Sequence, residues 1–362
     1  MATVYEIFLI LELEGVKVDN KLLSVKGLEV GFDTEQGLAK VLDKVNFEIM
    51  PGEIVGLVGE SGCGKTTLAR AILGVLPKNS ARISSGTINF DNNDLLKLSS
   101  KDLADNIRGK LITFIPQDPL TSFNPVFTIG AQMMDLMKWK SPDSVKGKYF
   151  TRYKKARQVT DKKRIIDLLH TVQLPDPEGI LRKYPHEVSG GQRQRLMIAM
   201  ALLPEPRMII ADEPTTALDV TIQAQILKLL RGVAVDRGVS VLFTTHDLGA
   251  AYEICDRITV MYAGQEVETA ISKDFFSQPR HPYTRKLLQS LPNNSKNLKG
   301  IPGQIPALIN PPSGCRFHPR CDEAKSECAK LRPEVTWPKK GHMLRCFNSN
   351  SVSAKETKNV VR

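Results

Sequence analysis

I-V-G-L-V-G-E-S-G-C-G-K-T, residues 54–66, is an apolar strand running into a glycine-rich loop, and the helix formers Leu68, Ala69, Arg70 and Ala71 follow it. Strand, loop and helix in that order are the setting in which such a loop binds phosphate. Gly59, Gly62 and Gly64 let backbone N–H groups curl around an anion, Ser61 and Thr67 complete the lining, and the helix N-terminus adds partial positive charge. Lys65 brings a point charge to the β- and γ-phosphates, and Thr66 offers a hydroxyl to Mg²⁺. The expected ligand is a nucleoside triphosphate.

Further along, residues 207–213 read R-M-I-I-A-D-E, an apolar run that ends in two carboxylates. A run buried on both faces belongs in a parallel sheet, whose C-terminal strand ends are where ligands bind. Asp212 is then placed to hold the Mg²⁺ shell and Glu213 to polarise an attacking water. Capping of the next helix ahead of Pro214 is the purely structural alternative. These elements predict an α/β fold, a P-loop (RecA-like) nucleotide-binding core over residues 22–270. Alternating strands at 23–32 and 41–49 form a small antiparallel β subdomain beside it. A charged helical pattern over 133–184, with Ile165, Ile166, Leu168 and Leu169 on one face, marks a helical subdomain inserted at about 118–190. Helices at 196–203 and 224–230 and a strand at 239–243, leading to Thr244, Thr245 and His246, complete the core. Prolines crowd the chain after about residue 271, so 271–348 is expected to be a loop-rich C-terminal extension and 349–362 a mobile tail.

Composition narrows the classes. The 362 residues are 41% hydrophobic and 25% charged, ordinary for a globular protein. No apolar stretch approaches the ~18 residues of a membrane span, so a membrane role is expected to be peripheral, at the cytoplasmic face. The first fifteen residues carry Glu6, Glu12 and Glu14 and lack a basic start, which argues against a signal peptide. A formal charge of +11 invites a nucleic-acid reading, but eleven Lys or Arg fall together between Lys138 and Arg164, with Trp139, Tyr149, Phe150 and Tyr153 interleaved. A solvated face explains that run most simply, contact with anionic lipid or an acidic partner loop comes second, and nucleic acid last.

Between the two nucleotide elements lies V-S-G-G-Q, residues 188–192. With the phosphate loop, Gln117 in I-P-Q-D, I-I-A-D-E and T-T-H-D in this order, the chain resembles the ATP-binding-cassette ATPases. The resemblance implies that Ser189 and Gly191 serve a nucleotide held by an opposing cassette, that Gln117 reaches Mg²⁺ or the water, that His246 contacts the γ-phosphate, and that Asp219 faces the partner. Phe32 is the expected adenine-stacking aromatic. I-P-Q-D-P-L-T-S-F-N-P-V-F-T-I-G (115–130), H-P-Y-T-R-K-L-L (281–288), I-P-G-Q-I-P (301–306) and G-C-R-F-H-P-R-C (314–321) are similar to the ATPase subunits of oligopeptide and dipeptide importers. That likeness implies ATP hydrolysis coupled to import, two transmembrane permease subunits, a second cassette ATPase that is a sister chain or else a second copy of this one, and a solute-binding protein met indirectly. The competing class, a soluble ATPase acting on nucleic acid or ribosomes, commonly carries two cassettes or a coiled-coil insertion, and neither is present.

Six cysteines remain. Cys315, Cys321, Cys328 and Cys346 are separated by five, six and seventeen residues, which is not the C-x-x-C spacing of zinc sites. Four thiolates suit an iron–sulfur cluster, and the importer resemblance implies a [4Fe–4S] centre there. Zinc or free thiols are the alternatives. Cys63, beside Lys65 at a helix N-terminus, sits where a thiol pKa is lowered, although filling a small site is the simpler role. Cys255 is read as core.

Overall fold

A computed structural model describes residues 21–143, 153–216, 218–291 and 300–348. It divides into two compact units, Met1–Leu96 with Thr244–Arg362, and Lys97–Phe243. The proposed tail at 349–362 lies outside the described residues.

The first unit begins with β1 (Leu23–Thr34) and β2 (Gly37–Ile49), an antiparallel pair with Leu23 opposite Ile49 and Thr34 opposite Gly37. β3 (Ile54–Val58) and α1 (Lys65–Leu73) flank the glycine-rich loop. β3 is buried at every position, so it reads as an unbroken apolar run rather than an alternation. α1 is closed by Gly74 in the left-handed region at φ 65°, where its N–H reaches the Ala71 carbonyl. β4 (Ala81–Phe90) and β5 (Asn93–Asp94) complete a sheet of order β2-β1-β4-β5.

The second unit carries β6 (Ile112–Ile115), α2 (Ile129–Lys140), α3 (Lys155–Thr171), α4 (Pro177–Arg182), α5 (Gly190–Leu202), β7 (Met208–Asp212), α6 (Val220–Arg237) and β8 (Ser240–Thr245), whose last two residues begin the return to the first unit. β6 and β7 run parallel, with Ile112 opposite Met208, in the order β8-β7-β6. α2, α3 and α4 bury Met133, Met137, Ile165, Leu169 and Ile180. Gly130 lets α2 approach α4, because a Cβ there would lie 2.6 Å from the Leu181 carbonyl oxygen. Several members of the basic run are structural. Arg157 pairs with the buried Asp161 at 3.2 Å and donates to the Lys138 carbonyl, and Arg164 pairs with Asp143 at 2.7 Å. Tyr149 and Phe150 lie outside the described residues.

The chain returns through α7 (Leu248–Ile254), β9 (Arg257–Tyr262), β10 (Gln265–Ile271), α8 (Ser272–Ser277), α9 (Pro282–Gln289), β11 (Thr336–Lys339) and β12 (His342–Leu344). β9 is parallel to β3, with Val55 opposite Arg257. β10, β12 and β11 then add on antiparallel, giving the run β11-β12-β10-β9-β3. The extension is therefore loop-rich between 300 and 335 and regular at both ends. β10 buries Glu268, whose carboxylate accepts the N–H groups of Arg280 and His281 at 2.8 and 2.9 Å and pairs with His342 Nε2 at 2.7 Å. Such partners are what make a buried charge tolerable. Among the described residues no helix is long and apolar enough to cross a membrane.

Candidate functional site

The phosphate loop lies wholly in the first unit. Gly59, Gly62 and Gly64 stand at φ 150°, 78° and 107°, a region that L side chains rarely adopt. At Gly59 a Cβ would fall 2.2 Å from the Met261 carbonyl oxygen, so β9 fixes the loop's first residue from behind. At Gly62 the same atom would meet nothing within 4 Å, which leaves room above the loop. Lys65 folds back over it, its Nζ donating to the carbonyls of Gly59 at 2.7 Å and Glu60 at 3.2 Å. Ser61 is exposed, and Thr66 and Thr67 are half-buried on the first turn of α1. This cradle of turned backbone, cation and helix N-terminus fits a polyphosphate.

Cys63 corrects an expectation. Its side chain is 1% exposed, and burial pushes the thiol pKa up although Lys65 Nζ stands 3.8 Å from the sulfur. Desolvation outweighs the neighbouring charge. The thiol packs the loop from within, and Cys255, also buried, packs against β3 beside Gly56.

The acidic pair lies in the second unit. Asp212 ends β7 and is buried, while Glu213 turns out of the strand at φ 47° and is half-buried. Gln117, just past β6, donates from Nε2 to Glu213 Oε2 at 3.0 Å. Two residues found 96 positions apart in the sequence thus meet directly. Thr216, which motif reading missed, donates to the same oxygen at 3.2 Å. Its place three residues after Glu213, in a turn that begins with proline, was the available signal.

Ser189 caps α5. Its Oγ accepts the Gln192 N–H at 3.2 Å, and Gln192 Oε1 accepts the Ser189 N–H at 3.0 Å, a reciprocal capping box. The hydroxyl proton stays available to an external acceptor. Gly191 keeps the helix start clear of α6, since a Cβ would stand 3.1 Å from Ile222. Asp219 has a local duty, its carboxylate accepting the Ile222 N–H at 3.0 Å as the N-cap of α6. His246 is exposed after β8, and Phe32 is half-buried on β1 opposite Ala39 and Ala81.

Cys315, Cys321, Cys328 and Cys346 all line one small cavity in the extension, with Phe317 and His281. Burial and the neighbouring thiols push Cys315 and Cys346 up to about 11. Among the described residues no group of three His, Cys, Asp or Glu stands as a set able to hold a metal ion. The predicted iron–sulfur centre is thus not borne out as a ready-made metal site.

The family described as ABC transporter matches residues 42–216, and the one described as oligopeptide/dipeptide transporter, C-terminal region, matches 267–328. The chain is 43% identical over 330 residues to the dipeptide transport ATP-binding protein DppD of Bacillus subtilis, covering 90% of this chain and 94% of that one. It is 41% identical over 329 residues to the oligopeptide transport ATP-binding protein AppD of the same organism, covering 90% and 96%. Among solved structures it is similar to the dimeric ATP-binding cassette MJ0796 in a post-hydrolysis state with ADP and Pi, at TM-score 0.58 and 26% identity, covering 69% of this chain and 98% of that one. It is also similar to cbiO1 of Clostridium perfringens, at TM-score 0.57 and 26% identity, covering 72% and 92%.

Proposed function

The chain belongs to the ABC transporter ATP-binding family, in its oligopeptide/dipeptide branch, and from that membership we propose how its residues divide the work of energising a peptide importer. It is an ATP-binding and ATP-hydrolysing subunit with the α/β fold of ABC cassettes. The observation that carries the reading is that the phosphate cradle, the Gln117–Glu213 pair and the Ser189-capped helix occur in a chain that spans almost the whole of DppD.

Lys65, with Gly59, Ser61, Gly62, Gly64, Thr66 and Thr67, holds the triphosphate. Thr66, Gln117 and Asp212 are the residues that would hold Mg²⁺, which would supply neutralisation of phosphate charge. Glu213 orients and polarises the water, and the Gln117 amide fixes that carboxylate. Ser189 and Gly191 address a nucleotide on a facing cassette, Asp219 lies at that interface, and His246 meets the γ-phosphate. Phe32 stacks on the base. The cassette spans about 22–270, its helical part meets two permease subunits at the cytoplasmic face, and its dimer partner is a sister ATPase.

The four cysteines that share a cavity support a [4Fe–4S] centre. In such a cluster each iron takes one thiolate, so the sulfurs need not crowd around a single ion. Stoichiometric iron and acid-labile sulfide after anaerobic purification is the expected result; iron-free protein with four alkylatable thiols sinks it. For the transport assignment, affinity capture from detergent-solubilised native membranes should recover two multi-span proteins with a second ATPase. Recovery of ribosomal proteins alone would replace it with the nucleic-acid reading.

A further inference from the structure

Glu60, the second residue of the phosphate loop, is gripped from the C-terminal extension at both main chain and side chain. Its N–H donates to the Tyr283 hydroxyl at 3.0 Å. Its carboxylate receives a two-pronged ion pair from Arg320, Nη1 to Oε2 at 2.8 Å and Nη2 to Oε1 at 3.0 Å. The rest of the guanidinium is committed as well, Nε to the Pro302 carbonyl at 2.9 Å, Nη2 to the Ile301 carbonyl at 3.2 Å and Nη1 to the Tyr262 hydroxyl at 3.3 Å. All five N–H donors of Arg320 are therefore in use, and its side chain is 3% exposed. Tyr283 is fully buried and meets Tyr262 edge to face, with centroids 4.7 Å apart. Neither group has freedom to follow the loop; the loop must follow them.

Glu60 also passes this restraint on, because its carbonyl is one of the two that seat Lys65 Nζ. We propose that Arg320 and Tyr283 are positioning residues for ATP: the extension holds the phosphate loop in its binding shape through Glu60, and so sets the cassette's nucleotide affinity. Holding a flexible loop in advance of binding lowers the ordering cost of the complex. Lysine cannot replace Arg320, since one ammonium cannot span two carboxylate oxygens and three further acceptors. The proposal rests on the ATPase reading and adds to it a second tier, outside the cassette motifs, that governs affinity rather than chemistry.

The test uses the full chain, with ATP affinity measured by calorimetry and kcat and KM by phosphate release. Glu60→Gln and Arg320→Gln should each weaken ATP binding by about five- to tenfold and raise KM alike, with kcat at saturating ATP kept. The double variant should be no worse than either single one, because both remove the same tie. Arg320→Lys should not rescue, Tyr283→Phe should lose about two- to fivefold, and Trp337→Ala, exposed on β11, should match the unaltered chain. Should Arg320→Gln fail to fold, Glu60→Gln carries the test, since that side chain is partly exposed and keeps its shape. Unchanged affinity in Glu60→Gln, additive losses, or a fall in kcat alone would overturn the proposal. Folded, unaltered protein that binds no ATP would instead defeat the ATPase reading itself.

Discussion

At the scale of single residues, Glu213 shows how a backbone angle aims a reactive group. Its φ of 47° swings the side chain off the strand axis, and Gln117 and Thr216 then hold Oε2 between them. If Glu213 polarises the water as proposed, conversion to Gln keeps the size and removes that function, so Glu213→Gln should bind ATP normally while steady-state phosphate release drops by at least about a hundredfold. Normal turnover in that variant would take Glu213 out of the chemistry. Cys63 gives a second expectation. Because burial raises its thiol, iodoacetamide should label it slowly at neutral pH, far behind an unfolded control, as read by mass spectrometry of the loop peptide. The sequence displayed the Lys65 charge and the helix N-terminus beside this cysteine, but not the packing of Gly59 and β9 that shuts water out. Motif residues were legible one by one; the contacts that tune them, made by residues distant in the chain, were not.

At the scale of elements, apolar periodicity located helices by their middles and missed their starts. Reading for apolar faces began two of them at residues 196 and 224, whereas the helices run Gly190–Leu202 and Val220–Arg237. Their first turns, G-G-Q-R and V-T-I-Q, bury no apolar side chain, and what starts them is the cap: Ser189 for α5 and Asp219 for α6. β4 escaped notice for a related reason, since its first residues are exposed and alternation begins only near Ile88. The fully buried strands β3 and β7 were plain, because each five-residue run is short for a helix and stops abruptly, at the glycine loop or at the carboxylate pair. If Asp219 starts α6, Asp219→Ala should destabilise the chain by about 1 kcal/mol in urea titration, and Asp219→Asn by much less. A fall in ATPase activity without a fall in stability would instead assign Asp219 to an interface.

At the scale of the whole chain, Asp43 on β2 is a meeting point for the extension and for β10. Arg316 Nη2 and Gln265 Nε2 reach Oδ2 at 2.9 and 2.7 Å, and Arg332 Nη1 reaches Oδ1 at 3.2 Å. Burial alone would raise its carboxyl pKa; the Gln265 hydrogen bond and the two guanidinium charges overcome that and hold it below the usual carboxylate range. A carboxylate lowered in the folded state stabilises above its unfolded pKa and loses that contribution as pH falls through the folded value. The melting advantage of the unaltered chain over Asp43→Asn should thus be full at pH 6 and shrink below about pH 4. An equal gap at both ends of the range would show that the ion pairs contribute nothing. The strand order has another consequence, for handling rather than catalysis. β11 closes the run with Thr336, Trp337, Pro338 and Lys339, and a proline and a lysine on an outermost strand discourage another chain from pairing there. A chain cut after Ile271 would bare the hydrogen-bonding row of β10, so it should clump as its concentration rises, with light scattering climbing where the intact chain stays clear. A capped outer strand would thus guard the sheet against edge-to-edge association.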